Sequence, residues 1–191
     1  MEKADVLAEI CAAIDRDDLS GAQVVLAARY PHVPTPKTKR QYSVQDCMRV
    51  FVRDGFVDRY SGERLVFPAA LRLLSRILGD AFPVHKNWKM EETRCAYWEL
   101  FPTIDHVQPV AQGGADADEN WVTTSMLHNS VKAHWTLSQL KWSLYPPGNV
   151  HEWDGLAHWA LRQFERGQFS DDEYISRWCR AAATVLAGKH R

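Results

Sequence analysis

No stretch of this 191-residue chain approaches the roughly 18 consecutive apolar positions of a membrane span, which excludes a protein built of membrane-crossing helices. The N-terminal Met1-Glu2-Lys3-Ala4-Asp5 is charged where a secretory leader would turn apolar, so a cytoplasmic location is expected, with no membrane partner. Cysteine is scarce and scattered: Cys11, Cys47, Cys95 and Cys179 include no close pair of the kind a zinc knuckle or a redox dithiol needs. They read as reduced core thiols, and no structural zinc is expected. Excess charge is missing as well. The 23 Lys+Arg against 24 Asp+Glu give a formal net charge of -1, without the overall basic footprint of many nucleic-acid binders, so any such partner must be met by a local site.

What the sequence does have is a globular composition, 46% hydrophobic and 25% charged. Helical periodicity marks Ala4 to Ile14 and Gly21 to Tyr30, the second capped by Ser20. PHVPTPKTKRQ then combines prolines with Lys37, Lys39 and Arg40, the most basic uninterrupted patch of the chain, and reads as a solvated linker or an arm that contacts phosphate. Ser43-Val44-Gln45-Asp46 has capping-box form and opens a helix that should stop at Asp54-Gly55. FVDRYSGERLVF reads as a hairpin turning at Ser61-Gly62. An amphipathic run through Leu71, Leu74, Ile77 and Leu78 and an aromatic stretch from Trp88 to Phe101 follow as a helical insertion.

Thr136 caps a short helix running to Trp142. Helices from Glu152 to Arg166 and from Asp171 to Ala187, the latter begun by Ser170, complete the chain, with Trp153, Trp159 and Trp178 as core or interface anchors. The expected fold class is α+β. A helical region over 1–55 precedes a central piece with strand character over 56–135, whose insertion lies at about 68–101; a second helical region covers 136–191, and the three form one compact unit.

The chemistry-bearing residues lie in IDHVQPVAQGGADADENWVTTSMLHNSVK, Ile104 to Lys132: Asp105 beside His106, then Pro109, Gly113-Gly114, Asn120, Asn129 and Lys132. Hydrolysing a phosphodiester needs a base for the attacking water and a cation for the charge that develops on phosphorus and the departing oxygen. An imidazole, which ordinarily titrates near neutrality, suits the base, and His106 supplies one. Successive strand residues point to opposite sides, so the chain must bend at the strand end if Asp105 and His106 are to serve one site. On a helix from Thr124 to His134, Leu127 and Val131 form an apolar stripe that can pack on the core, while Asn129 and Lys132 share a face that can line a site. Asp105 and Asn129 together offer hard oxygen donors of the kind Mg²⁺ or Mn²⁺ prefers.

This arrangement resembles the HNH endonuclease motif, the ββα-metal or His-Me finger. The intervals from His106 to Asn120 to Asn129 are similar to those of the HNH domain of RNA-guided CRISPR nucleases, and Tyr60-Ser61-Gly62-Glu63 is similar to the turn that precedes many such motifs. The resemblance implies a small ββα-metal core embedded in a mainly helical protein that cuts DNA with one divalent ion. It makes His106 the general base, Asp105 and Asn129 the metal ligands with His128 as an alternative, and Lys132 a positive charge near phosphate. Asn120 would brace the loop and orient His106, and the products would carry 5′-phosphate and 3′-hydroxyl ends. Many members have His where Asn129 stands. Many also clamp the fold through zinc with two Cys-x-x-Cys pairs, and here the places of the second pair hold Ser125 and His128. RNA as substrate and a homodimer for double-strand cutting stay open. The rival readings are a non-catalytic nucleic-acid-binding module of the same fold, or a structural or interaction protein in which Asp105, His106 and Asn129 form an internal hydrogen-bond network.

Overall fold

The computed structural model describes residues 2–32, 42–167 and 169–188, so the basic arm of Lys37, Lys39 and Arg40 lies outside the described residues. The chain divides into two units, Met1–Lys39 and Arg40–Arg191. The first is a pair of packed helices, α1 (Lys3–Ile14) and α2 (Leu19–Arg29), joined by an Arg29–Glu9 ion pair. Asp18, and not Ser20, caps α2: its carboxylate accepts the Gly21 N–H at 2.8 Å, which leaves Ser20 inside the first turn.

The second unit begins with α3 (Val44–Arg53), where the capping box read from the sequence forms: the Ser43 hydroxyl accepts the Asp46 N–H at 3.0 Å and the Asp46 carboxylate accepts the Ser43 N–H at 3.2 Å. This helix belongs with the central and C-terminal parts, not with a helical region ending at 55. Its buried Met48, Phe51 and Val52 join the main core, in which Phe51 stacks on Trp178 with ring centroids 6.1 Å apart. Trp178 lies on α9 (Glu173–Gly188), which packs on α3, α4 (Pro68–Leu78) and α8 (Ala157–Glu165). Each large side chain buried here contributes about 1.5–3 kcal/mol, which is how helices remote in sequence come to hold the central piece. Among the described residues no helix is long and apolar enough to cross a membrane.

The structure mixes helix with a two-stranded antiparallel sheet, so the α+β class holds at that level. The 56–67 segment turns back at Ser61-Gly62 as expected, but as a minimal hairpin: one antiparallel bridge, Val57 to Arg64, flanked by Asp58 N–H to the Glu63 carbonyl at 2.8 Å and Leu65 N–H to the Phe56 carbonyl at 2.7 Å. The insertion is helical only in α4 and in α5 (Ala96–Glu99) apart from two 3₁₀ turns, and Trp88 gathers Tyr97, Trp98 and Phe101 at centroid distances of 5.4, 5.9 and 4.9 Å. Of the cysteines, only Cys179 is buried; Cys11 and Cys95 are exposed, so the expectation of four core thiols is corrected. Burial pushes the Cys179 and Cys47 thiols up to about 11.

The sheet is formed by β1 (Pro102–His106) and β2 (Trp121–Ser125), with Pro102 opposite Ser125 and His106 opposite Trp121. The 107–120 loop joins them, and α6 (Met126–Lys132) follows β2 directly, shorter than the expected Thr124–His134 helix because Ser125 caps it by accepting the His128 N–H at 3.0 Å. Its orientation also differs from the expectation. Leu127 and Val131 are 42% and 52% exposed, while Lys132 is 0% exposed. The polar face of α6 turns inward because the edge of β1, with its unpaired carbonyls, lies beneath it. A short α7 (Leu137–Leu140), capped by Thr136, follows.

Candidate active site

An isolated two-stranded hairpin is marginal in water, and this one is secured by polar groups along both outer edges. On the β2 side, the Thr123 N–H donates to Asp54 at 2.8 Å and the Ser125 N–H to Asp58 at 2.8 Å, while the Thr123 carbonyl accepts the Arg59 N–H at 2.9 Å. On the β1 side, the Lys132 ammonium donates to the His106 carbonyl at 2.7 Å, and the Asn129 amide makes long contacts of 3.4 Å with Thr103 Oγ1 and the Ile104 carbonyl. Asn129 and Lys132 thus share the strand-facing side of α6, as their spacing predicts.

Asp105 is 7% exposed and sits between two donors on the same oxygen: the Tyr60 hydroxyl at 2.7 Å and the Lys132 ammonium at 2.9 Å. Burial, and after it the charge of Asp105, push the Tyr60 phenol far above its ordinary value, so the hydroxyl stays protonated and donates. Lys132, expected beside phosphate, is instead enclosed, with its ammonium 5.6 Å from the centre of the Tyr60 ring. A side chain committed to a carboxylate, a carbonyl and a ring face has no donor directed to solvent.

His106 is 2% exposed, and its contacts converge on Nε2: Asp116 Oδ1 at 2.8 Å, Trp121 Nε1 at 3.2 Å and Tyr42 OH at 3.4 Å. Tyr42 also meets Trp121 edge to face, with centroids 5.1 Å apart. Among the described residues, the Asp105 and His106 side chains share no partner. Pairing continues through His106, opposite Trp121, and the chain bends only after it, at 107–108, so the bend at the strand end does not bring Asp105 and His106 to one face and the two side chains alternate. The group common to both is Lys132, which touches the carboxylate of one and the carbonyl of the other.

The loop between the strands is closed by Asn120. Its Oδ1 accepts the Gln108 N–H at 2.8 Å, and its Nδ2 donates to the carbonyls of Gln108 and Ala115, each at 2.8 Å. Gly114 packs so tightly in this loop that a Cβ would lie 1.9 Å from the Gln108 carbonyl oxygen, which reserves the position for glycine. The brace expected of Asn120 is present in these contacts, but no hydrogen bond joins it to His106, so any orienting of that ring is not by direct contact. Asn120→Ala is expected to cost about 1–3 kcal/mol of local stability, read as faster hydrogen exchange at the Gln108 amide while core amides are unchanged.

His128, the alternative ligand, is held away from Asp105. Its Nδ1 lies 2.7 Å from Asp58 Oδ2 and 3.0 Å from Ser125 Oγ, and its ring meets Trp142 edge to face at 5.7 Å. Asp58 is wholly buried and also accepts the Tyr60 N–H at 2.9 Å and the Thr124 hydroxyl at 3.0 Å. Burial alone would raise its carboxyl, yet the Ser125, Tyr60 and His128 donors outweigh that and hold it below the ordinary value.

No family model, curated protein or solved structure matches the chain. The site therefore rests on its own geometry. The structure joins Lys132 to Asp105, lays Asn129 against Thr103 and Ile104 with no hydrogen bond to Asp105 among the described residues, places His106 at the strand end with a separate set of partners, and leaves His128 in a structural latch. Sequence reasoning missed Tyr42, Asp58, Asp116 and Trp121. Asp58 had a legible local signal, the Asx turn it makes with Tyr60 two residues on. Tyr42 reaches His106 across 64 positions, for which local pattern has no signal.

Proposed function

We propose that this chain is a divalent-metal-dependent HNH-type endonuclease that hydrolyses DNA phosphodiester bonds, leaving 5′-phosphate and 3′-hydroxyl ends. The observation that carries the reading is the order of parts around His106. Asp105 and His106 end one strand, an Asn120-closed loop leads into the second, and a short helix follows at once to lay Asn129 beside the first. That is the order a ββα-metal core requires.

The residue types suit a hard divalent ion, a carboxylate from Asp105 and an amide oxygen from Asn129, although the Asp105 oxygen now faces the Lys132 ammonium at 2.9 Å and Asn129 turns its amide nitrogen to β1. Asp105 and Asn129 would hold Mg²⁺ or Mn²⁺, which when bound supplies positive charge for the phosphorane and the leaving 3′-oxygen. His106 takes the proton of the attacking water. Tyr60, kept protonated, and Lys132 fix the Asp105 carboxylate in place.

Purified protein with Mg²⁺ or Mn²⁺ is expected to nick plasmid DNA and to stop on chelation. His106→Ala is expected to lower the cutting rate by about 10²–10⁴-fold, the usual worth of a general base, while DNA binding persists. A parallel assay on single-stranded RNA decides the substrate. A non-catalytic binding module would bind without cutting. Burial favours one further reading: Asp105, His106 and Lys132 are 7%, 2% and 0% exposed, as a purely structural network would be, and that reading requires neither binding nor cutting.

A further inference from the structure

We propose that Asp116 is the positioning residue of His106, fixing its imidazole as the Nε2–H tautomer so that Nδ1 carries the lone pair that takes the proton from water. The catalytic part of this inference rests on the nuclease reading; the tautomer part rests on geometry alone.

The three groups at Nε2 differ in what they can do. A carboxylate only accepts and an indole N–H only donates. If Nε2 bore a lone pair, its shortest contact, 2.8 Å to Asp116 Oδ1, would set two acceptors against each other. With a proton on Nε2 that contact becomes a hydrogen bond to an anion, the stronger kind. Trp121 is then satisfied elsewhere: its Nε1–H lies 3.0 Å from the same Asp116 oxygen, closer than the 3.2 Å to His106, and the Tyr42 hydroxyl is 3.5 Å from that oxygen. Asp116 Oδ1 is thus the acceptor on which the imidazole, the indole and the phenol converge. Among the described residues no group hydrogen-bonds to Nδ1.

The placement of Asp116 follows from the loop. Asn120 Nδ2 holds the carbonyl of Ala115 at 2.8 Å, the residue next to Asp116, and the backbone approach at Gly114 lets the loop fold onto Gln108. Asn120 therefore acts on His106 through Asp116, which accounts for its place in the motif without any contact between the two. The Asp116 side chain is 41% exposed while that of His106 is 2% exposed, so removing the carboxylate opens no cavity in the core.

The test uses the full chain labelled with ¹⁵N, and two-bond ¹H–¹⁵N correlations of the histidine rings recorded at a pH where imidazoles are neutral. The His106 signals are assigned by their loss in His106→Ala. Wild-type protein is expected to show a protonated Nε2 and a bare Nδ1. In Asp116→Ala the Trp121 N–H becomes the nearest partner of Nε2, and the ring is expected to move toward the Nδ1–H form. Cleavage kinetics of the same variant are expected to show kcat down about 10–100-fold with KM unchanged, as for other orienting partners. Asp116→Glu, which restores an acceptor, is expected to recover part of both. A wild-type ring protonated at Nδ1, or an unchanged tautomer in Asp116→Ala, overturns the assignment. A wild type with the expected tautomer that never cuts nucleic acid overturns the catalytic role together with the nuclease reading, and leaves the tautomer lock as a structural fact.

Discussion

Lys132→Ala is expected to destabilise the second unit by about 3–5 kcal/mol, measured as a lower urea midpoint with an unchanged slope. The size follows from what is left behind. Lys132 is fully buried, and its ammonium neutralises the nearly buried Asp105 at 2.9 Å while closing the His106 carbonyl at 2.7 Å. Truncation strands a charge and a carbonyl in an environment that cannot solvate them. The attraction itself contributes much less net than the loss suggests, because forming the pair already cost the desolvation of both ions. Combining Lys132→Met with Asp105→Asn, which removes both charges and keeps an acceptor for the Tyr60 hydroxyl, is therefore expected to recover most of the loss. A Lys132→Ala protein within about 1 kcal/mol of wild type would show that the ammonium is not the counter-charge of Asp105 in solution.

Asp58→Ala has a comparable expected cost, about 3–5 kcal/mol, for a different reason. The wholly buried Asp58 collects donors from the 58–62 turn, from β2 and from α6: the Tyr60 and Ser125 N–H groups, the Thr124 hydroxyl and His128 Nδ1, at 2.7 to 3.0 Å. Removing the carboxylate orphans the Tyr60 and Ser125 N–H groups and the Thr124 hydroxyl and leaves His128 only its contact with the Ser125 hydroxyl. A carboxylate thus gathers Ser125 and His128 on one group. The same group sets an acid limit. Its carboxyl is held below the ordinary 3.8 in the folded chain, so its contribution is fully present above the unfolded value and is lost as pH falls through and beneath 3.8. Urea midpoints recorded from neutral pH downward are expected to fall on the acid side, and Asp58→Asn is expected to flatten that fall. An acid arm of equal steepness in the variant would assign it to other carboxylates, such as Asp154, which is also held low by donors that outweigh its burial, His158 among them.

Some of what depends on neighbours within one helical turn was readable along the chain. The Ser43–Asp46 box starts α3 and Thr136 caps α7, because caps act through bonds three residues long. The spacing of Asp105, His106, Asn120, Asn129 and Lys132 singled out the residues that meet along β1 and its loop. Where the pattern misled, a distant group had intervened. FVDRYSGERLVF suggested a hairpin, but its pairing stops at the Val57–Arg64 bridge because Asp58 turns to β2 and α6. Leu127 and Val131 suggested a buried stripe, but the carbonyl edge of β1 draws in Asn129 and Lys132.

The sequence by itself determined the α+β character, several helix starts and which polar side chains carry the candidate chemistry, since these follow from local propensity and from residue chemistry. Only the tertiary structure decided which of those side chains face one another: that Lys132 answers Asp105, that Asp116 answers His106, and that His128 answers Asp58. Those pairings are settled by which carbonyls and charges burial leaves unsatisfied, and that becomes defined only after the strands, the loop and α6 have closed on each other.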